Sequence, residues 1–162
     1  MTTTQVRDPA LDLTVSRIIK APREAVWEAW TDPASFEQWW IPAPEKCQVE
    51  TMDLRAGGGF RTLMSSDGKN WGPHLDDCFL AVDDLERIVF TTALSEGWRP
   101  AAGKLLVTAE ITLSDHPDGT EYISYVMHKD SADCDMHDEM GFQEGWGTAT
   151  GQLATLTESR SR

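Results

Sequence analysis

Apolar and polar positions change their period several times along this chain, and each change marks an element. Residues 11–20 (LDLTVSRIIK) alternate with Leu11, Leu13 and Val15 on one side, which predicts a first strand. Pro22 then suits a first helical position, because its missing N–H needs no partner there. Val26, Trp27 and Trp30 follow at helical spacing, with Arg23, Glu24 and Glu28 as the wet face. Asp32-Pro33 closes that helix and caps a second, whose apolar side is Phe36, Trp39 and Trp40. Residues 21–40 therefore predict two short helices carrying four of the chain's seven tryptophans, one wall of a concave surface.

Strand patterns occupy the middle of the chain. Residues 46–54 and 60–64 flank a hairpin corner at Gly57-Gly58-Gly59, and residues 74–82 and 86–92 meet across Asp83-Asp84. Residues 105–113 put Leu105, Val107, Ala109, Ile111 and Leu113 on one face, and the turn at 116–119 leads into a strand over 120–129. Residues 131–158 then read as one long helix capped by Ser131, with Phe142, Trp146, Ala149, Leu153 and Leu156 as its apolar stripe. No parallel crossover pattern is present. The fold class expected is α+β, an antiparallel sheet of about six or seven strands covered by the terminal helix. One domain over 11–158 is expected, with a flexible N-terminus over 1–10 and a tail over 159–162.

Gly141 and Gly145 fall on one face of that helix, each at a cost of about 1 kcal/mol relative to alanine. Either a strand backbone packs close there, or the missing side chains leave room for a ligand. Aromatic and methionine side chains from converging elements supply the other candidates: Trp40, Phe60, Met64, Phe79, Phe90, Met127, Met140 and Trp146. An apolar concave site with a few polar groups is the usual small-molecule pocket, and methionine adds adaptability. With Ile123 and Met127 on its face, Tyr125 is expected to point inward and to need a partner for its hydroxyl. One carboxylate of Asp76-Asp77 has the same opportunity, and burial there raises its pKa.

Charge and composition narrow the partners. There are 27 acidic against 14 basic residues, a net charge of −13, so nucleic acid and anionic membranes are not expected as partners. The polar opening MTTTQVRDPA has no hydrophobic signal core, and three cysteines with no close pair fit a reducing compartment; a cytoplasmic location is expected. Cys134 and His137 stand three apart near His128, but two ligands do not make a zinc site, and the helix-turn reading is preferred. No Ser/His/Asp order or phosphate loop stands out, so no catalytic residue, metal or cofactor is expected.

Four segments together resemble a known family: IKAPREAVWEAWTDPASFEQWW, MDLRAGGGF, GTEYISYVMHKD and HDEMGFQEGWGTATGQL. Over residues 12–157 the chain resembles the START-like, or helix-grip, superfamily, in the branch named after the activator of Hsp90 ATPase. The resemblance implies a curved antiparallel sheet gripping a long C-terminal helix, with an apolar cavity closed at one end by the two small helices. It implies non-enzymatic binding of a small hydrophobic molecule, lipid, aromatic or polyketide-like. Two other roles follow from it: an Hsp90-type co-chaperone, or a cyclase or aromatase-like enzyme in which Tyr125 and Asp77 act. Either a monomer or a homodimer fits.

Overall fold

The computed structural model describes residues 7–161. Its core is an open antiparallel sheet of seven strands in the order β1-β9-β8-β5-β4-β3-β2. These are β1 (Asp12–Ile19), β2 (Lys46–Met52), β3 (Gly59–Ser65), β4 (Gly72–Asp83), β5 (Arg87–Thr91), β8 (Thr108–His116) and β9 (Gly119–Met127). A separate two-stranded ribbon, β6 (Leu94–Ser95) with β7 (Arg99–Pro100), folds back over the glycine corner. The helices are α1 (Arg23–Thr31), α2 (Pro33–Phe36), α3 (Ser131–Glu139) and α4 (Phe142–Arg160).

Several boundaries differ from the sequence expectation. The single terminal helix is two. Gly141 adopts φ +96 and begins α4, while the amides of Met140 and Gly141 close the end of α3 on Met136 and Asp138 carbonyls. The second tryptophan helix is a single turn, capped by the Asp32 carboxylate on Ser35 N at 3.1 Å; Trp39 and Trp40 lie in the turns that follow it. Leu105 and Val107 precede β8 because Val107 is taken up by Thr92, which donates from its amide and accepts at its hydroxyl. The expected loose N-terminus falls partly on residues 1–6, outside the described residues. From Asp8 onward the chain is tied down, with Leu11 N and Asp12 N both bonded to Asp8 O at 2.9 Å. Likewise α4 continues to Arg160, two residues into the expected tail.

The glycine corner joins β2 to β3 through tight contacts that only glycine allows. At Gly57 the backbone is left-handed (φ +84), and a Cβ there would lie 2.7 Å from Trp98 Cε2. The ribbon is held against this corner by Gly97 N, which donates to Gly57 O at 2.8 Å.

Burial concentrates where α1 and the Trp39–Trp40 turn meet the sheet. Trp30, Phe36, Phe60 and Phe79 are completely buried and Trp39 and Phe90 nearly so. One flank of α4 packs on β1 and α1. Its other flank faces β4 across open space, and that asymmetry positions the site.

Candidate functional site

Between α4 and the sheet lies a cavity of about 230 Å³, lined by Trp39, Trp40, Pro42, His74, Leu75, Tyr122, Gly145, Trp146, Ala149 and Thr150. Each wall has a sequence cause. On α4, Trp146, Ala149 and Thr150 come from one face of the apolar stripe, and Gly145 widens the space. A Cβ at Gly145 would meet no atom within 4 Å, so the glycine is not there to admit a neighbouring strand. On β4, the register shifts opposite Thr62–Leu63, and this bulge turns both His74 and Leu75 to the cavity. On β9, Tyr122 faces inward and accepts a hydrogen bond from Trp30 Nε1 at 2.9 Å.

The rim over the Trp39–Pro42 turn is fastened to α4 by one side chain. Gln152 Nε2 donates to Trp39 O and to Ile41 O, each at 2.9 Å, and its Oε1 accepts from Ala43 N at 2.8 Å. Both hydrogen-bonding ends of the amide are therefore used to hold the turn in place. Trp39 Nε1 is spent on Ala29 O at 2.8 Å, and Thr150 Oγ1 on Trp146 O at 2.7 Å. Trp40 Nε1, by contrast, is buried without an acceptor. His74 sits at the solvent side, its Nδ1 2.9 Å from Thr62 Oγ1, and partial desolvation holds its pKa below the ordinary value.

Two strand steps make the floor deeper than the lining. Asp77 follows Leu75 on the same face of β4, is 2 % exposed, and has an Oδ2 with no hydrogen-bond partner. Desolvation, with a smaller push from Asp76, raises its pKa to about 7. Asp76, the other acid of the pair, is exposed.

Of the candidates read from the sequence, Trp40, Gly145 and Trp146 come together on the cavity wall. Phe60, Phe79 and Phe90 lie behind it in the core. Phe60 stacks on Phe79 at 4.8 Å, and its ring is 5.9 Å from that of Trp40. The remaining five are elsewhere. Met64 at the end of β3 and Met140 at the α3–α4 junction are 38 % and 69 % exposed, and Gly141 serves the helix break. Met127 borders an open groove with Leu106 and Val107. Tyr125 points the opposite way from Tyr122, bonded to Asp12 with the Arg7 guanidinium 4.6 Å above its ring; burial, then Asp12, pushes its pKa up to about 12.

The sequence reading missed Tyr122 because it chose the wrong phase for β9. Ile123, Tyr125 and Met127 share one face and Tyr122, Ser124 and Val126 the other, and both alternations look apolar. The Trp30–Tyr122 hydrogen bond is a long-range pairing with no local signal. His74 and Leu75 depend on a bulge that no spacing announces.

Other places were tested against this one. A broader hollow, about 630 Å³ between Arg17, Gln38 and Gln152, is a shallow groove along α4, open to solvent. His128 and His137 do pair, Nε2 to Nδ1 at 2.8 Å, with His128 Nδ1 donating to Leu11 O at 2.8 Å. That carbonyl can only accept, so His128 Nδ1 is the donor there, and its other nitrogen is taken up by His137. Among the described residues no group of three or more His, Cys, Asp or Glu is placed to hold a metal ion, and all three cysteines are free and buried. No helix among them is long and apolar enough to cross a membrane.

A curved antiparallel sheet with a cavity under its C-terminal helix defines a helix-grip protein of the START-like class. The chain belongs to the activator of Hsp90 ATPase homolog 1-like family, whose model matches residues 20–158. A crystal structure of a Nitrosomonas europaea protein is 36 % identical to it, with 96 % of this chain and 99 % of that chain covered and a TM-score of 0.88. An Arthrobacter aurescens protein shares the fold at 21 % identity, covering 98 % and 93 % with a TM-score of 0.76. So does the AHSA1-like protein of Aeromonas hydrophila, at 19 % identity, 93 % and 94 % coverage and a TM-score of 0.68. No curated protein matches the chain.

Proposed function

We propose that this protein binds a small, largely apolar molecule in the cavity between the sheet and α4, without transforming it. The observation that carries this reading is open space beside Gly145, at the edge of an otherwise well-filled aromatic core. Protein interiors are close-packed, and a void of this size forfeits contacts unless something occupies it. Pockets that take drug-sized ligands measure about 300–1,000 Å³. A cavity of about 230 Å³ therefore suits a single ring or a short branched chain better than a whole polyketide or lipid. Trp40 Nε1, left without an acceptor, favours a ligand with one oxygen.

Gly145→Phe tests the site. Glycine at this position has free space around it, so the ring enters the cavity without displacing backbone. Titrating small aromatics and branched alcohols into the wild type should quench or shift tryptophan emission. The Phe variant should keep its circular dichroism and bind the same compounds at least about tenfold more weakly, roughly the loss of 1.4 kcal/mol of contact. Undiminished affinity in the variant places the site elsewhere, and a wild type that answers no compound ends the proposal.

The family's name favours a second role, contact with an Hsp90-type chaperone. Such contact runs through surface residues, so it should survive Gly145→Phe. A pull-down with the cognate Hsp90 that recovers nothing, with its ATPase rate unchanged, removes that role.

A further inference from the structure

We propose that the ligand of this cavity is a small organic cation, a quaternary or fully alkylated ammonium group, with Asp77 as its counter-ion. The inference rests on the cavity reading above and names the chemistry of its occupant.

The wall offers aromatic side chains more than free hydrogen-bonding groups. Four of the ten lining residues are Trp39, Trp40, Tyr122 and Trp146, and none is Lys, Arg, Asp or Glu. Most of the polar atoms of that wall are already engaged: Trp39 Nε1 with Ala29 O, Tyr122 Oη with Trp30 Nε1, Thr150 Oγ1 with Trp146 O. Indole and phenol faces carry a negative quadrupole, and they attract an alkylated ammonium that needs no hydrogen bonds of its own. Trp40 Nε1 remains for an oxygen near the charged group.

Asp77 supplies the second, independent observation. A buried carboxyl ordinarily has a cation or several donors beside it. Here every flanking element fails to provide one. Opposite on β3 is Phe60, and the neighbouring Arg61 turns its guanidinium to Thr51 Oγ1, with Nη2 at 2.9 Å. On β5 the ladder ends at Thr91, paired with Cys78. On β4 itself Asp76 adds a like charge, and His74 Nδ1 is engaged by Thr62. No ion pair to Asp77 is formed among the described residues, and Asp77 stands two residues beyond the lining residue Leu75 on the same face of β4, behind the cavity wall. The net charge of −13 draws cations toward the protein in addition.

Burial raises the Asp77 pKa to about 7, so near neutrality the carboxyl is partly protonated. A bound cation favours the carboxylate and expels that proton to solvent, while a quaternary ammonium has none to exchange. Binding is then tighter as pH rises through the Asp77 titration.

Choline and its uncharged isostere 3,3-dimethylbutan-1-ol differ only in the charged centre, and isothermal titration with both decides the matter. Choline should bind about tenfold or more tightly than the alcohol near pH 8. Its affinity should fall toward pH 6, and titrations in two buffers of different ionisation enthalpy should show protons released. Asp77→Asn should abolish the proton release and the pH dependence and most of the choline preference, while leaving alcohol binding intact. Equal affinity for the two compounds, or a preference that survives Asp77→Asn unchanged, overturns the cation assignment and leaves the cavity reading standing. Binding of neither compound, nor of any other small molecule, overturns both.

Discussion

Replacing Trp30 by alanine is expected to destabilise the protein by about 3–5 kcal/mol, the range for removing a large aromatic from a core that cannot collapse around the gap. Trp30 is fully buried, and its ring centroid lies 5.2 Å from Trp40, 5.3 Å from both Phe36 and Trp39, and 6.2 Å from Phe90. These neighbours come from α2, from the turn after it and from β5, so one side chain ties the helical wall to the sheet. Its Nε1 also donates to Tyr122 Oη, and the alanine variant takes that donor from a buried hydroxyl. Trp30→Phe keeps most of the packing but not the donor, and should cost markedly less than the alanine change. Urea denaturation of both variants measures this. A loss below about 1 kcal/mol for Trp30→Ala would be in the range of surface substitutions and would contradict this packing.

The second large effect is a stability that declines as pH rises, carried by Asp77. In the unfolded chain its carboxyl titrates near 3.9. In the native state burial moves it to about 7. Between those values the folded protein holds a proton that the unfolded chain gives up, so stability falls with increasing pH across the window from about 4 to 7. Above it the native state carries an unpaired buried charge. Asp77→Asn retains the shape and has nothing to ionise. It should match the wild type near pH 4 and exceed it at pH 8, by an amount on the order of 1–3 kcal/mol. Paired melting curves at the two pH values give the answer, and a variant less stable at both would mean that the carboxylate has a native partner.

Most of the architecture was legible in the sequence because it rests on local patterns. Alternation drew the strands, the three glycines drew the β2–β3 corner, and Asp32-Pro33 separated the first two helices. The break at Gly141 was hidden because Gly145, Gly147 and Gly151 lie inside α4 without breaking it, so nothing local marks Gly141 out from them. The site was only partly readable. Trp40, Gly145 and Trp146 announce themselves through size or the lack of it. Tyr122, His74 and Leu75 reach the cavity through strand phase, a bulge and a contact made across the fold, none of which leaves a mark on neighbouring residues. On the outer face of β9 Arg7 and Asp12 cover Tyr125 while Ile123 and Met127 stay half-buried, so both alternations carry apolar residues and the choice between Tyr122 and Tyr125 had no local basis.

The central claim, that a small molecule enters between α4 and β4, is tested most directly by fluorine NMR of the protein labelled with 5-fluorotryptophan. Single Trp→Phe variants assign the resonances. On addition of a saturating small ligand, Trp40 and Trp146 should shift most, while Trp71 and Trp98, both exposed and neither of them on the cavity wall, should shift least. Shifts confined to Trp71 or Trp98, or none at Trp40 and Trp146 with any ligand that binds, would contradict the account.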